Sequence, residues 1–274
     1  GQSAYWALIV ARGVLILEMT GSSAMVGITT FVAMAPRFII PPLTGYLADR
    51  FDRRSLLALS YGAQLMHVIL LTTLTLTDVL AVWHLIVLST VNGGFRAGQT
   101  TITQTLIPNV VPREKLLNAI ALNQLTQQGS RLVGPAFVAP ALAFWDPGVA
   151  FLGSTLFYVV GLLSILMVRT RSSGGLKKGA SFGASLMEAA RYAWGHPQMR
   201  TLFVLIALHC AMTMAFESTL PVFNRDILGQ GMAGVSYLMM GVGAGAVVSV
   251  VYVAGVRGSI ARGRLLLLFG VTSG

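Results

Sequence analysis

Charge is what this sequence has least of. Asp, Glu, Lys and Arg together make up 10% of its 274 residues, against about 25% in an ordinary soluble domain, and only nine residues are acidic. Too little polar surface remains to cover a water-soluble domain of this length. Cysteine occurs once, as Cys210 inside an apolar run, so an intrachain disulfide is excluded and no Cys/His cluster of the zinc type exists. The chain has no Walker-type Gly-Lys-Ser/Thr loop, no His-Glu-x-x-His and no Gly-x-Ser-x-Gly. An ATPase, a metalloprotease and a serine hydrolase therefore find no support. We expect no enzyme activity, no metal and no cofactor.

Apolar length fills the space instead. Hydrophobic residues make up 55% of the chain and the mean hydropathy is +0.74. Apolar runs of about 20 residues recur, the length a helix needs to cross the hydrocarbon of a bilayer. We place them near residues 5–19, 24–43, 56–76, 79–107, 116–143, 149–168, 202–220 and 234–255, with a ninth beginning after 264. Gly1 in place of Met, a short first run and a ninth run cut at Gly274 lead us to expect a chain that is incomplete at both ends. Residues 171–175 read as flexible linker. Residues 185–194 read as a short amphipathic helix on the membrane face, with Glu188 and Arg191 away from the apolar side.

The formal net charge of +10 marks a membrane side rather than nucleic acid. Alternating the loops places Arg50, Arg53, Arg54, Arg113, Lys115, Arg169, Arg171, Lys177, Lys178, Arg191, Arg200, Arg257, Arg262 and Arg264 on one side and Arg225 alone on the other. Cytoplasmic loops collect Lys and Arg, so fourteen against one orients the chain. The remaining four, Arg12, Arg37, Arg96 and Arg131, fall within apolar runs. The expected fold is thus an all-α, multi-pass protein of a cell membrane, with lipid as a partner and nucleic acid excluded.

Ten residues organise the chain. Gly45-Tyr46-Leu47-Ala48-Asp49-Arg50-Phe51-Asp52-Arg53-Arg54 puts five charges in a tight turn between two apolar runs. It resembles the Gly-x-Leu-Ala-Asp-Arg-x-Gly-Arg-Arg signature that joins the second and third helices of major facilitator superfamily transporters. Asp52 stands where the second glycine usually is, a substitution common in the branch of macrolide-efflux-like and enterobactin-exporter-like proteins. Pro36-Arg37, Leu106-Ile107-Pro108, Asn118-Ala119 and the Glu188 to Pro197 stretch extend the likeness along the chain. A second motif, Ser130-Arg131-Leu132-Val133-Gly134-Pro135, resembles the Gly-Pro motif in the fifth helix of drug–proton antiporters. The match is partial, since Ala139-Pro140 replaces later glycines of that motif.

The resemblance implies two six-helix pseudo-repeats, the second truncated here. Residues 1–169 would form the first bundle, 170–200 a cytoplasmic linker and 201–274 the start of the second; the spacing from Gly45 to Arg54 returns from Gly255 to Arg264 without the aspartates. It also implies proton-coupled alternating access with export of a bulky amphiphile, a drug or siderophore-like molecule, by antiport. Uptake or flipping of a lipid-like or metabolite substrate, a non-transporting membrane scaffold or sensor and a nonfunctional fragment are the alternatives. Asp49 and Arg54 take the gating roles by resemblance, with Gly45, Arg50 and Arg53 in support. Arg131, Gly134 and Pro135 shape the fifth helix.

Charges at bilayer depth cost at least about 2.5–3.5 kcal/mol on insertion scales and therefore face the bundle interior. Arg12, Arg96 and Arg131 are candidate cavity residues, and several arginines there favour anionic or carboxylate-bearing substrates. The fifth run holds Asn123 and Gln127 among many amides, so it must line a core or a water-filled cavity. Glu18, Glu217 and, more weakly, His209 are candidates for carrying the coupling proton.

Overall fold

The computed structural model describes residues 1–145, 147–168, 182–213, 216–231 and 233–255. All regular structure among them is helical: α1 Gln2–Thr20, α2 Ser23–Met34, α3 Pro36–Arg50, α4 Arg53–Leu76, α5 Val82–Val110, a 3-10 turn Arg113–Lys115, α6 Leu116–Phe144, α7 Pro147–Met167, α8 Phe182–Gly195, α9 Pro197–Thr213, α10 Phe216–Phe223, a π-helical turn Asn224–Leu228 and α11 Ala233–Gly255. The expected linker at 171–175, the basic segment 257–264 and the ninth run lie outside the described residues.

Local chemistry sets the boundaries. Gly21, at φ 62°, closes α1 in the left-handed region, where a residue without Cβ pays no steric penalty. Ser22 then caps α2 by accepting from the Met25 amide at 3.4 Å. Ala35 separates α2 from α3, and Pro36 opens α3 at its first turn, where its missing N–H costs nothing. The expected second run ends at residue 43, but α3 continues through Pro41 and Pro42 to Arg50. The first half of the ten-residue signature is therefore helix, and the turn proper is Phe51-Asp52. Prolines are tolerated at such depth where neighbouring helices and local adjustments satisfy the freed groups.

Among the described residues, five stretches are long and apolar enough to cross a membrane: Gln2–Thr20, Ser23–Arg50, Arg53–Leu76, Pro147–Met167 and Ala233–Tyr252. At 29 residues each, α5 and α6 are longer than any of these but more polar. Apolar side chains fill most of the core and also cover the outer surface. Phe31, Phe38, Ile39, Met66 and Leu59 are exposed, whereas Gln64, Gln99, Asn92 and Arg96 are buried. Lipid solvates the former, and the latter need partners that hydrocarbon cannot supply.

The central element is α1. It is 56% buried, against 17% for Ser23–Arg50, and it packs against α6, α7, α2 and α10. Around it, α4 lies on α5 and α7, while α2 and α3 lie on α5. α11 lies along α6. Lipid tails are as apolar as leucine, so association rests on close packing. Two glycines make it possible on opposite sides of α6. A Cβ at Gly134 would fall 2.4 Å from the Ser3 carbonyl oxygen of α1, and one at Gly243 of α11 would fall 2.5 Å from the Leu132 amide nitrogen of α6.

Candidate functional site: a charged turn and an arginine-bearing cleft

The charged turn is held by three different devices. Asp52 caps α4, its carboxylate accepting from the Ser55 amide at 3.0 Å and the Ser55 hydroxyl at 2.8 Å. Arg53 turns inward and is buried. Its guanidinium donates to the Ala48 carbonyl at 3.1 Å, to the Thr105 carbonyl of α5 at 3.0 Å and to Asp49 Oδ1 at 3.1 Å. Arg54 reaches the C-terminal end of α7, donating to the Ile165 and Leu166 carbonyls at 3.4 and 2.6 Å. A cation at a helix C-terminus satisfies orphan carbonyls and complements the dipole.

Asp49 thus pairs with Arg53, one helical turn on, rather than with Arg54. Its side chain is 41% exposed against 8% for Arg53, so one carboxylate face stays available. Arg50 sits over the Tyr46 ring at 4.5 Å, and Tyr46 meets Phe182 of α8 edge-on at 5.5 Å. This aromatic link seats the amphipathic helix on α3. Gly45 has open space where a side chain would stand, so packing does not require its identity.

A second group lies deep among α1, α4, α5 and α7. Arg96 is buried, donates to Gln99 Oε1 at 3.3 Å and lies 4.6 Å from the Tyr5 ring centroid. Gln64 of α4 donates to the same Gln99 oxygen at 3.0 Å. Arg37 donates to the Tyr5 hydroxyl. His67 is buried with both ring nitrogens lacking a hydrogen-bond partner among the described residues, and the Tyr158 hydroxyl lies at the Asn92 side chain. Arg12 is an electrostatic neighbour of His67, Tyr5 and Tyr158.

A narrow cleft opens on this group. It is walled by α1 and α2 on one side and by α10 and α11 on the other, with Tyr5, Arg12, Thr29 and Thr30 as its polar lining. Both threonine hydroxyls donate to their own helix, to the Met25 and Val26 carbonyls at 2.9 and 2.8 Å. At the end of the cleft where α1 stops, Arg225 donates to the Gly21 carbonyl at 3.4 Å and clasps Asp226 through both nitrogens at 2.6 and 3.3 Å. That bond holds the Asp226 carboxyl below its ordinary value.

The other sequence candidates are dispersed. Arg131 is half-buried, stacked 4.3 Å over Trp6. Gly134 and Pro135 are buried against α1. Asn123 and Gln127 lie half-buried on α6, in the half of that helix that stays most exposed. Glu18 is exposed at the end of α1 and is not a lining residue of the cleft. The side chains of His209 and Glu217 lie outside the described residues. Sequence reasoning missed Gln64, His67, Asn92 and Gln99. A signal existed: Ser60, Gln64 and His67 on α4 and Asn92, Arg96 and Gln99 on α5 both step by four and then three residues. Each set is a polar stripe down one face of an otherwise apolar helix.

Known proteins place this architecture. A family model described as transmembrane secretion effector matches residues 1–274. The staphyloferrin A transporter of Staphylococcus aureus is 21% identical over 213 residues, 77% of this chain and 53% of that protein. Macrolide efflux protein A of Streptococcus pyogenes is 22% identical over 260 residues, covering 93% and 60% of the two chains. The protein of that name from Enterococcus faecalis is 22% identical over 253 residues, covering 90% and 73%. The chain spans 53% and 60% of the length of the first two relatives.

Proposed function

Because this chain belongs to the transmembrane secretion effector family of major facilitator transporters, and so is a multi-pass protein of a bacterial cell membrane, we propose that it is part of a proton-coupled exporter of bulky amphiphilic small molecules. Residues 1–169 form the first bundle, 170–200 the cytoplasmic connection and 201–274 the start of the second bundle. The two bundles rock about a site near the midplane, exposing it alternately to each side. The family is one of transporters rather than enzymes, and the reading asks no chemistry of the chain.

The observation that carries this reading is the cleft, because its walls come from both proposed bundles and Arg12 stands in it. Rocking one wall against the other changes its width. The efflux named in the macrolide relatives supports the direction of transport. The amide-rich, open half of α6 suits a water-filled cavity on the cytoplasmic side. Asp49 and the arginines of the signature turn act as the gate, with Arg53 pairing Asp49 in this state.

The test uses the full-length protein in inverted membrane vesicles. A proton gradient is expected to drive accumulation of a macrolide or a siderophore-type molecule, and adding that cargo is expected to release protons. Gradient-driven accumulation without proton movement would reject antiport. Failure of every cargo in a broad panel to accumulate would reject export.

A further inference from the structure

We propose that Arg12 is the head-group site for a carboxylate or similarly anionic amphiphile, and that the cleft selects against cationic amphiphiles. This rests on the export reading above and narrows its cargo to the carboxylate-bearing, siderophore-like class rather than to macrolides, whose basic amine is cationic at neutral pH. Among the described residues, Arg12 makes no hydrogen bond and no ion pair, although it lies mid-way along α1 and lines the cleft. Arg37 and Arg96, both held at Tyr5, are engaged, by the Tyr5 hydroxyl and by Gln99 respectively. Tyr5 lines the cleft beside Arg12 and stacks against Arg96, which does not line it.

No carboxylate pairs with Arg12, Arg37 or Arg96 among the described residues. The two threonines that share the cleft have already donated to their own helix. A guanidinium at bilayer depth is retained at a cost of several kcal/mol by order of magnitude. Here the counter-charge that no described residue gives it is supplied by the cargo.

The lining agrees: the cleft that holds Arg12 is otherwise walled by apolar side chains such as Ile9, Val26, Met34, Leu220, Val235 and Met239, and at about 20 Å³ it must widen to admit more than a water-sized group. One fixed cation set in an apolar trough complements an apolar body with one anionic end. A cationic head placed there would meet Arg12 directly and Arg96 behind Tyr5, and like charges in a low-dielectric site repel strongly. Arginine presents a planar fork that takes a carboxylate through two parallel hydrogen bonds, which lysine cannot reproduce.

Two fluorescent probes with one body and opposite heads test this: pyrenebutyrate and its trimethylammonium counterpart. Binding to the full-length protein in lipid nanodiscs is measured against empty nanodiscs as blank. Wild type is expected to favour the carboxylate. Arg12→Gln is expected to weaken carboxylate binding by about ten- to a hundredfold, the value of a charge-assisted pair, while leaving the ammonium probe unchanged or bound more tightly. Arg12→Lys is expected to restore part of the loss. Met34→Ala is expected to weaken both probes alike.

Carboxylate binding within twofold of wild type in a folded Arg12→Gln protein overturns the assignment. So does equal or tighter binding of the ammonium probe by wild type, and so does binding of neither. Equilibrium binding needs no proton gradient. Charge-selective binding without gradient-driven accumulation would therefore sink the export reading alone, and accumulation without charge selectivity would sink the Arg12 assignment alone.

Discussion

The side chain of Arg53 does the most at the charged turn, because burial multiplies the consequence of every bond it makes. Arg53→Ala would leave the Ala48 carbonyl without its Arg53 donor inside the bundle, at about 1–3 kcal/mol for a buried group left unmade, and would cut the tie to α5 at Thr105, whose carbonyl keeps the Asn109 amide. Arg54 caps α7 at its end, where a charge–dipole contact contributes about 0.3–1 kcal/mol. Thermal unfolding in detergent is expected to rank Arg53→Ala well below Arg54→Ala in stability. The reverse order would remove the structural role assigned to Arg53. Asp49→Asn keeps an acceptor toward Arg53 but loses the charge and its exposed face. It is expected to insert and purify normally and to lose export, measured as cargo accumulation in inverted vesicles. Export at wild-type rate would reduce Asp49 to a topological anchor.

At the scale of helices, α6 is the element that joins the two proposed bundles, since it packs against α1 on one side and α11 on the other. Its two closest approaches are at glycine, so a side chain at either changes the distance between helix axes. Gly243→Val is expected to force α11 away from α6, because the new Cβ would stand 2.5 Å from a backbone nitrogen that cannot yield. A cross-link reads this directly. A Cβ at Gly129 would lie 3.8 Å from Val247 Cγ2, within reach of disulfide geometry. On a Cys210→Ser background, Gly129→Cys with Val247→Cys is expected to form a disulfide in high yield. Adding Gly243→Val is expected to lower that yield severalfold, and an unchanged yield would show that α11 does not rest on α6 through this glycine. The same pair tests alternating access: cargo that turns the site to the other side is expected to shift the yield.

For the whole molecule, the governing fact is an apolar outer surface around a core that is itself apolar but takes in amides and an arginine, a surface that lipid permits and water does not. The proposed orientation follows from where arginine collects. In intact cells, a membrane-impermeant thiol reagent is expected to label Asp226→Cys and to spare Asp52→Cys, with the opposite result in inverted vesicles, both on the Cys210→Ser background. Labelling of Asp52→Cys from outside would invert the topology and, with it, the direction of export.

Much of this was legible in the sequence because the lipid solvent imposes a one-dimensional rule. A span must be about 20 residues long and apolar, so helix number and order can be counted along the chain. The turn at Phe51-Asp52 announces itself because five charges interrupt two such runs. The partners of those charges were not legible. Three arginines within five positions look alike in sequence, yet Arg50 stacks on an aromatic ring, Arg53 is buried and Arg54 caps a helix more than a hundred residues away. Nor could spacing alone reveal that the polar stripes of α4 and α5 face each other through Gln64 and Gln99. Still less could it show that Arg12 stands in a cleft with no hydrogen-bond or ion-pair partner among the described residues. A one-dimensional pattern sets which residues must avoid lipid. Only the packing of helices distant in the chain decides which of them meet, because a bond between side chains depends on the rotation and approach of two helix axes and not on either helix alone.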